Sequence, residues 1–264
     1  MTQTRIGDPR IGLAKTARAA ASAVMIRLGN FFFRYRDALF PLVFALMAAA
    51  LWPVFPFGSP SLDHAVDGLG LALALAGQTL RAIVIGLAYV KRGGKNRRVH
   101  ADTLVQEGLF AHSRNPLYVG NILVLLGLIV IHGSPYFLLA GGAFYLLAYL
   151  AITMAEEQFL EKKFGEEYRV YCQRVPRFRL RLRGLRDTMR GMTFDWRRAI
   201  RKEYGSTLSW TACALCLLVW EDWRNLGPTA ARHKAAIVAP IFAVLLLAYA
   251  IARVLKKTKR LGRD

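Results

Sequence analysis

Six stretches of mainly apolar residues, each near the length of a membrane-spanning helix, constrain the fold of this chain more than any other feature. They lie at 38–55, 66–90, 116–132, 135–154, 206–220 and 235–255. A helix of about 17–25 such residues crosses the hydrocarbon core of a bilayer. The sequence therefore predicts an all-α fold, a polytopic transmembrane helical bundle of about six spans.

Basic charge is concentrated between these stretches. The 264 residues include 37 Lys and Arg against 17 Asp and Glu, a net charge of +20. Because the chain also has 55% hydrophobic residues and no recognised nucleic-acid motif, this charge favours a membrane protein over a nucleic-acid binder. The partners expected for it are membrane lipids with anionic headgroups.

The distribution of Lys and Arg predicts the orientation in the membrane, since cytoplasmic loops carry more of both. The N-terminal tail to Arg36 has seven, segment 91–115 has six, segment 155–205 has fourteen, and the C-terminal tail from Arg253 has six. The opposite loops, 56–65 and 133–134, have none, and 221–234 has three. We therefore predict a multi-pass integral membrane protein with both termini in the cytoplasm.

The N-terminal residues 1–37 form a basic segment that ends in the aromatic cluster Phe31-Phe32-Phe33-Arg34-Tyr35. We interpret it as an amphipathic helix in the membrane interface, with the aromatic rings at headgroup depth and the arginines facing anionic lipid. A loosely ordered tail is the alternative.

The segment from Leu104 to Gly120 leads from a cytoplasmic loop into the third span. Asn115 is a good N-cap residue and Pro116 suits the first helical position, so a helix with unpaired N–H groups is predicted to begin here. With Arg114 beside it, such a helix end attracts a carboxylate or a phosphate. The alternative is a capped transmembrane helix with a snorkelling arginine.

Two adjacent carboxylates, Glu156 and Glu157, end the fourth span, where basic residues are usual. Only His132-Gly133-Ser134 separates the third and fourth spans, so these spans must form a tight antiparallel hairpin. Arg114 can then meet Glu156 or Glu157. The pair is either a plain ion pair or part of a pocket for a zwitterionic cofactor, such as an amino acid derivative.

Apolar and aromatic residues recur at helical spacing after the acidic pair, which predicts an amphipathic cytoplasmic helix beneath the bundle. They are Phe159, Leu160, Phe164, Tyr168, Tyr171 and Val175, with Gly165 as a possible interruption. The following alternating run, Arg177 to Arg183, is expected to lie extended along the membrane surface.

Arg81 lies within the second span, and an intramembrane arginine is a functional candidate unless it snorkels to the interface. The five histidines are scattered, with no HExxH and no Cys/His cluster at metal-ligand spacing. The sequence predicts no metal.

The chain resembles the integral-membrane methyltransferases of the isoprenylcysteine carboxyl methyltransferase and phospholipid methyltransferase superfamily over residues 70–180. The resemblance rests on four elements in order: Arg114-Asn115-Pro116-Leu117-Tyr118-Val119-Gly120, Glu156-Glu157, Phe164-Gly165-Glu166-Glu167-Tyr168-Arg169-Val170-Tyr171 and Val175-Pro176-Arg177. Asn115 replaces the family's histidine, which puts a histidine-specific cofactor contact in doubt.

This resemblance implies S-adenosylmethionine as cofactor and a lipidic acceptor that enters from the bilayer, with the active site facing the cytoplasm. Glu157, Arg81 and Tyr168 are then the catalytic candidates, with Arg81 on the acceptor side. The cofactor-binding candidates are Gln106, Gly108, His112, Arg114, Asn115, Pro116, Leu117, Tyr118, Gly120, Glu156, Glu157 and Tyr171.

We divide the chain into the N-terminal segment 1–37, a methyltransferase-like membrane core at 38–183, and a basic C-terminal extension at 184–264 with two further spans. Two other functions stay open at this point. A membrane reductase similar to sterol reductases would use NADPH, although the Glu-Glu and Phe-Gly-x-x-Tyr elements favour methyl transfer. A lipid-binding protein without catalytic activity would bind no cofactor.

Overall fold

A computed structural model of the chain describes residues 9–55, 58–87, 92–95, 98–101 and 103–262. Parts of several sequence predictions fall outside these residues: the start of the N-terminal segment at 1–8, the end of the second span at 88–90, the basic residues Lys91 and Arg97 of the second polar segment, and the last two residues of the C-terminal extension.

The described residues are mainly helical, as the sequence predicts. The helices are α1 (Pro9–Ala50), α2 (Pro60–Leu87), α3 (Pro116–Ile131), α4 (Pro135–Phe164), α5 (Glu166–Arg174), α6 (Leu185–Arg190), α7 (Trp196–Leu226) and α8 (Pro228–Lys257). A 3-10 helix at Gly108–Ala111 precedes α3. The sequence did not predict the antiparallel hairpin of β1 (Arg92–Lys95) and β2 (Arg98–Ala101), which pairs Arg92 with Ala101.

Each of the six predicted spans lies largely within one of α1, α2, α3, α4, α7 and α8. Three of these helices contain segments that are long and apolar enough to cross a membrane: Ser61–Leu87, Pro135–Phe164 and Pro228–Lys257. The apolar helix α3 is shorter. The chain is thus an integral membrane protein.

The predicted boundary between an interfacial segment and the first span, at residue 37, falls inside the continuous helix α1. The aromatic cluster does not lie wholly at the lipid surface either, because its Phe33 is buried in the protein, as is Phe40 of the first span. The ring of Phe40 packs edge-on against Tyr145 of α4, and the Tyr145 hydroxyl donates to the Phe40 carbonyl at 2.7 Å. Helix α1 therefore continues through the predicted boundary and packs against α4 beyond it.

Helices α2 and α3 run antiparallel and touch backbone to backbone at two pairs of glycines, Gly70 with Gly127 and Gly77 with Gly120. A Cβ atom on Gly77 would lie 2.5 Å from the Gly120 carbonyl oxygen, and one on Gly127 would lie 2.4 Å from that of Gly70. Small residues allow this close approach between membrane helices. The contact sets the position of Arg81, one turn beyond Gly77, against α3.

We expect Gly77→Ala to destabilise the protein by about 1–3 kcal/mol, because overpacking a close contact costs about this much. Gly68→Ala in the same helix is the matched control, since a Cβ there meets nothing within 4 Å. That substitution should stabilise the helix by about 0.5–1 kcal/mol. Unfolding of both variants in detergent, followed by circular dichroism, measures the difference. Equal effects of the two substitutions would contradict the close contact.

The predicted α3–α4 hairpin is confirmed. Helix α3 ends at Ile131 and α4 begins at Pro135, with the Ser134 hydroxyl accepting from the Phe137 amide at the start of α4. The start of α3 and the end of α4 therefore lie at the same end of the bundle, which is the condition for Arg114 to reach the Glu156-Glu157 pair.

Gly165 interrupts the helix that follows the acidic pair, as the sequence suggests. Helix α4 continues to Phe164, Gly165 has a φ of 53°, and the short helix α5 begins at Glu166. The side chains of Tyr168 and Tyr171 are buried in a cluster with Leu160. This turn folds α5 back under the end of the bundle.

Residues 177–183, expected to lie extended along the membrane surface, also contact the protein. The Arg181 amide donates to the His112 carbonyl at 3.0 Å, and a ring nitrogen of His112 lies 2.7 Å from the Arg181 carbonyl. These backbone partners fix the segment beside the loop that leads into α3.

Candidate functional site

A polar cavity of about 540 Å³ lies at the end of the bundle where α3 starts and α4 ends. Its walls come from α1, α4, α5 and the segment after α5. The charged or hydrogen-bonding side chains among them are Ser22, Glu157, Gln158, Glu161, Tyr168, Arg169, Cys172, Gln173 and Arg177. Groups of both charge signs therefore face one cavity.

Glu157 lies between two arginines. Arg114 Nη1 is 3.1 Å from Glu157 Oε1, and Arg177 binds the other side through Nη2 to Oε2 at 2.6 Å and Nε to Oε1 at 3.1 Å. The predicted meeting of Arg114 with the acidic pair is thus present in the structure. The second arginine makes the group an Arg–Glu–Arg cluster with a surplus positive charge.

Arg114 has hydrogen-bonding capacity to spare. Its Nη1 also donates to Cys172 Sγ at 2.7 Å, whereas its Nε is buried and has no hydrogen-bond partner among the described residues. Burial lowers the pKa of this guanidinium, but Glu157, Cys172 and Tyr168 together outweigh that effect and the pKa lies above its ordinary value. Arg114 is therefore a fixed cation behind Glu157 and Cys172, two residues of the cavity wall.

Tyr168 is a poor candidate for a general base. Burial, followed by the negative charge of Glu157, raises the pKa of its phenol well above the ordinary value. The hydroxyl therefore stays protonated at neutral pH, where it can only donate or accept a hydrogen bond.

The start of α3 differs from the prediction in one respect. Pro116 takes the first helical position, but the Asn115 side chain makes no cap hydrogen bond. Its amide Nδ2 donates instead to the Arg177 carbonyl at 3.1 Å, and the Tyr118 amide bonds to the Asn115 carbonyl at 3.1 Å. Asn115 thus anchors the segment that carries Arg177 and does not cap an open anion site. The reason is that its backbone angles, φ −132° and ψ 52°, are not those of an N-cap.

Glu156 points away from Glu157, because adjacent residues of a helix are about 100° apart. Its carboxylate accepts from the Tyr118 hydroxyl at 2.7 Å, and Arg36 Nη1 of α1 lies 3.2 Å from the same hydroxyl. The two acidic residues therefore contact different groups: Glu157 binds two arginines, and Glu156 binds the Tyr118 hydroxyl.

A second cavity, of about 850 Å³, lies inside the bundle and has mainly apolar walls. Side chains from α1, α3 and α7, including Phe44, Leu128 and Leu217, form these walls. Polar groups collect at one end of it: Arg36, Asp37, Arg81, Asn121 and Tyr149. Arg36 is thus shared between this cavity and the Glu156–Tyr118 contact.

Arg81 is held by the C-terminal extension. Its Nε and Nη2 donate to the two carboxylate oxygens of Glu203 at 2.8 and 2.7 Å, and its Nη1 donates to Asn121. Gln78 Nε2 donates to the same carboxylate at 2.9 Å, and Trp210 Nε1 donates to Gln78 at 3.0 Å. Arg81 is therefore neutralised within the bundle and does not snorkel.

Several predicted cofactor residues lie outside both cavities. Both ring nitrogens of His112 have protein partners, the Tyr171 hydroxyl donates to the Phe110 carbonyl, and Gly120 packs on Gly77 and Arg81. The Gln106 side chain donates to Glu167, and Gly108 packs against the Met192 side chain. Pro116 and Leu117 belong to the first turn of α3. A cofactor contact for these residues stays a prediction.

Five residues were missed as site candidates: Arg36, Asn121, Cys172, Arg177 and Glu203. Arg177 stands at the end of the Val-Pro-Arg element, so the motif itself carried the signal. Glu203 is an acidic residue in the basic segment that precedes an apolar run, the same kind of exception that pointed to Glu156 and Glu157. The residues near Glu203 in the sequence do not indicate that it pairs with Arg81.

The fold and the two cavities define a helical membrane protein with a polar cavity at one end of the bundle and a second, mainly apolar cavity between α1, α3 and α7, which we call the apolar chamber. The sequence pattern of the phospholipid methyltransferase family matches residues 69–167, which include Arg81, Arg114, Glu156 and Glu157. The chain belongs to this superfamily of membrane methyltransferases, which includes the isoprenylcysteine enzymes.

Two relatives of this chain have names that describe different functions. The cobalt-zinc-cadmium resistance protein CzcN of Cupriavidus metallidurans is 32% identical over 157 residues, which cover 59% of this chain and 68% of that protein. Protein-S-isoprenylcysteine O-methyltransferase B of Arabidopsis thaliana is 29% identical over 113 residues, 42% of this chain and 57% of the plant protein. No solved structure shows a significant match to the chain.

Proposed function

We propose that this protein transfers a methyl group from S-adenosylmethionine to the polar head of a lipidic acceptor, at the cytoplasmic face of the membrane. The acceptor head is an isoprenylcysteine-like carboxylate or a phospholipid amine. One observation carries the proposal: adjacent residues of α4 serve the two cavities. Glu157 lines the polar cavity, and Glu156 accepts from the Tyr118 hydroxyl, which Arg36 at the polar end of the apolar chamber also contacts.

The polar cavity suits the amino acid part of the cofactor. Arg177 lines this cavity and offers donors for a carboxylate, while Arg114 lies behind Glu157 and adds positive charge. Glu157 and Glu161 offer acceptors for an ammonium group or ribose hydroxyls. When bound, S-adenosylmethionine supplies an electrophilic methyl group on its sulfonium.

The apolar chamber suits the hydrocarbon part of the acceptor. A volume of about 850 Å³ with apolar walls accommodates a lipid chain, while Arg81, Asn121 and Arg36 at the polar end face its head. We expect the chain's own residues to act mainly by positioning the acceptor and excluding water, since methyl transfer requires in-line approach.

The acceptor decides whether a base is needed. A carboxylate attacks without losing a proton, whereas an ammonium head must first release one. Since Tyr168 has a raised pKa, Glu157 is the better base of the predicted catalytic residues. The proposed cytoplasmic orientation rests on the basic residues near the polar cavity, such as Arg169, Arg174 and Arg177, and on the positive-inside pattern.

Calorimetric titration of the detergent-solubilised protein with S-adenosylhomocysteine, and separately with NADPH, tests the proposal. We expect S-adenosylhomocysteine to bind and the Arg114→Ala plus Glu157→Ala variant to lose this binding. Binding of NADPH alone would replace the proposal by a reductase, and binding of neither compound would favour a non-catalytic lipid-binding protein.

A further inference from the structure

Helices α7 and α8 form an apolar groove between them, with a volume of about 530 Å³. Side chains such as Leu215, Val219 and Phe242 line it. The groove adjoins the apolar chamber at Cys216 and Trp220, which line both. We call it the α7–α8 groove. The proposed methyl transfer makes no use of it.

The α7–α8 groove has the depth of one membrane leaflet. Its walls extend from Trp223 back to Ala212 on α7 and from Ala231 to Phe242 on α8, eleven positions in each helix. At about 1.5 Å per residue, this is a length of about 16 Å. Half of a hydrocarbon core of about 30 Å is nearly the same length. The groove therefore begins beside the turn at Gly227 and ends near the middle of the bilayer.

An arginine among tryptophan rings lies at the end of the groove beside this turn. The guanidinium carbon of Arg224 is 3.1 Å from the centroid of the Trp52 ring, and 5.2 and 5.7 Å from those of Trp220 and Trp223. Trp52 follows the end of α1, whereas Ser22, near the start of α1, lines the polar cavity. Since tryptophan is enriched at membrane interfaces, Arg224 lies at headgroup depth, at the end of the bundle opposite the polar cavity.

The protein does not neutralise the charge of Arg224. Among the residues that the structure describes, no carboxylate pairs with it. The acidic residues beside it have other partners: Asp222 pairs with Lys234 at 3.3 Å, and the carboxyl group of Glu221 is hydrogen-bonded to Asp63. The tryptophan rings attract the guanidinium but leave its charge in place. An anionic group at headgroup depth is the complement of this site.

We propose that the α7–α8 groove binds one phospholipid of the leaflet opposite the polar cavity. The phosphate lies at Arg224, because guanidinium groups form strong bidentate hydrogen bonds to phosphate. One acyl chain lies between α7 and α8. This lipid is not the methyl acceptor, whose proposed place is the apolar chamber on the other side of Trp220. All residues of the site lie outside 69–167, the part of the chain that matches the family pattern.

Native mass spectrometry of the full-length, delipidated protein released from detergent tests the phosphate contact. We expect one dioleoylphosphatidylglycerol per chain to stay bound under conditions that remove dioleoylglycerol, which has the same chains and no phosphate. Arg224→Gln should weaken phospholipid binding by about tenfold or more, since hydrogen bonds to charged groups contribute this much. Arg253→Gln, at an exposed arginine near the other end of α8, is the matched control and should leave binding unchanged.

A second pair of variants tests the groove without changing the charge. Ala239→Leu fills the groove and should also weaken phospholipid binding. Ala248→Leu makes the same substitution at an exposed position of α8 outside the groove, and should not. Size-exclusion chromatography and circular dichroism verify that all four variants are folded.

Equal binding by Arg224→Gln and Arg253→Gln, or by Ala239→Leu and Ala248→Leu, would overturn the proposal. Equal binding of dioleoylglycerol and dioleoylphosphatidylglycerol would do the same, as would displacement of the phospholipid by glycerol 3-phosphate. A lipid-free dimer would show that a second copy of the chain covers the groove instead. None of these results depends on S-adenosylhomocysteine binding, so this proposal and the proposed function can fail separately.

Discussion

Replacing Glu203 by glutamine is expected to lower the free energy of unfolding by about 3–5 kcal/mol, the usual cost of leaving one partner of a buried ion pair without its counter-charge. The side chains of Arg81 and Glu203 are only 17% and 6% exposed, and Glu203 binds Arg81 through both oxygens. The carboxamide of glutamine keeps the shape but not the charge. Thermal unfolding in detergent measures the loss.

A double-mutant cycle distinguishes the ion pair from a general packing effect. Arg81→Met should also destabilise the protein, whereas the double variant Arg81→Met plus Glu203→Gln should recover part of the loss because no unpaired charge is left. A coupling free energy of about 1–3 kcal/mol is expected for residues in direct contact. Glu166→Gln, at a side chain that is 74% exposed, is the control. Additive losses would show that Glu203 does not hold Arg81.

The substitution Glu157→Gln is expected to weaken S-adenosylhomocysteine binding by about 10- to 100-fold. The substitution Glu156→Gln should leave this binding within a few fold of the wild-type protein. Glu157 orients Arg114 and Arg177 at the polar cavity, and hydrogen bonds to charged groups contribute about 1.5–3 kcal/mol. Glu156 contacts Tyr118 on the other side of α4. The two variants differ by one position in the same helix, so each controls for the other.

Calorimetry on both variants, after their folding is verified by size-exclusion chromatography, gives the comparison. If Glu156→Gln lost the ligand and Glu157→Gln retained it, the assignment of the cofactor to the polar cavity would be wrong. If both lost it equally, the ligand would extend across α4 towards Tyr118 and Arg36.

The C-terminal extension from residue 184 contributes side chains to the family core, although it follows that core in the sequence. Helix α7 supplies Glu203 to Arg81 at the apolar chamber, and Trp210 to Gln78 in the same network. The pattern of the phospholipid methyltransferase family ends at residue 167, before this helix. The polar end of the chamber is therefore built partly from residues outside the family core.

Local patterns in the sequence were enough for the helices. Apolar stretches predicted the spans, Pro116 predicted the start of α3, and the three residues between Ile131 and Pro135 predicted the hairpin. That hairpin in turn predicted that Arg114 meets the acidic pair. Each of these features depends on neighbouring residues or on one short connection, so a linear sequence contains the information.

Tertiary packing decided the rest. The glycine contacts between α2 and α3 place Arg81 beside Asn121, and α7 brings Glu203 to it across 122 positions of the chain. Adjacent carboxylates at 156 and 157 take different partners, because Tyr118 of α3 reaches one side of α4 while Arg114 and Arg177, from the segments before α3 and after α5, reach the other. The Asn115 side chain donates to the Arg177 carbonyl and makes no cap hydrogen bond, because the fold places that carbonyl beside it. Such pairings depend on the relative positions of whole helices, which no single stretch of sequence specifies.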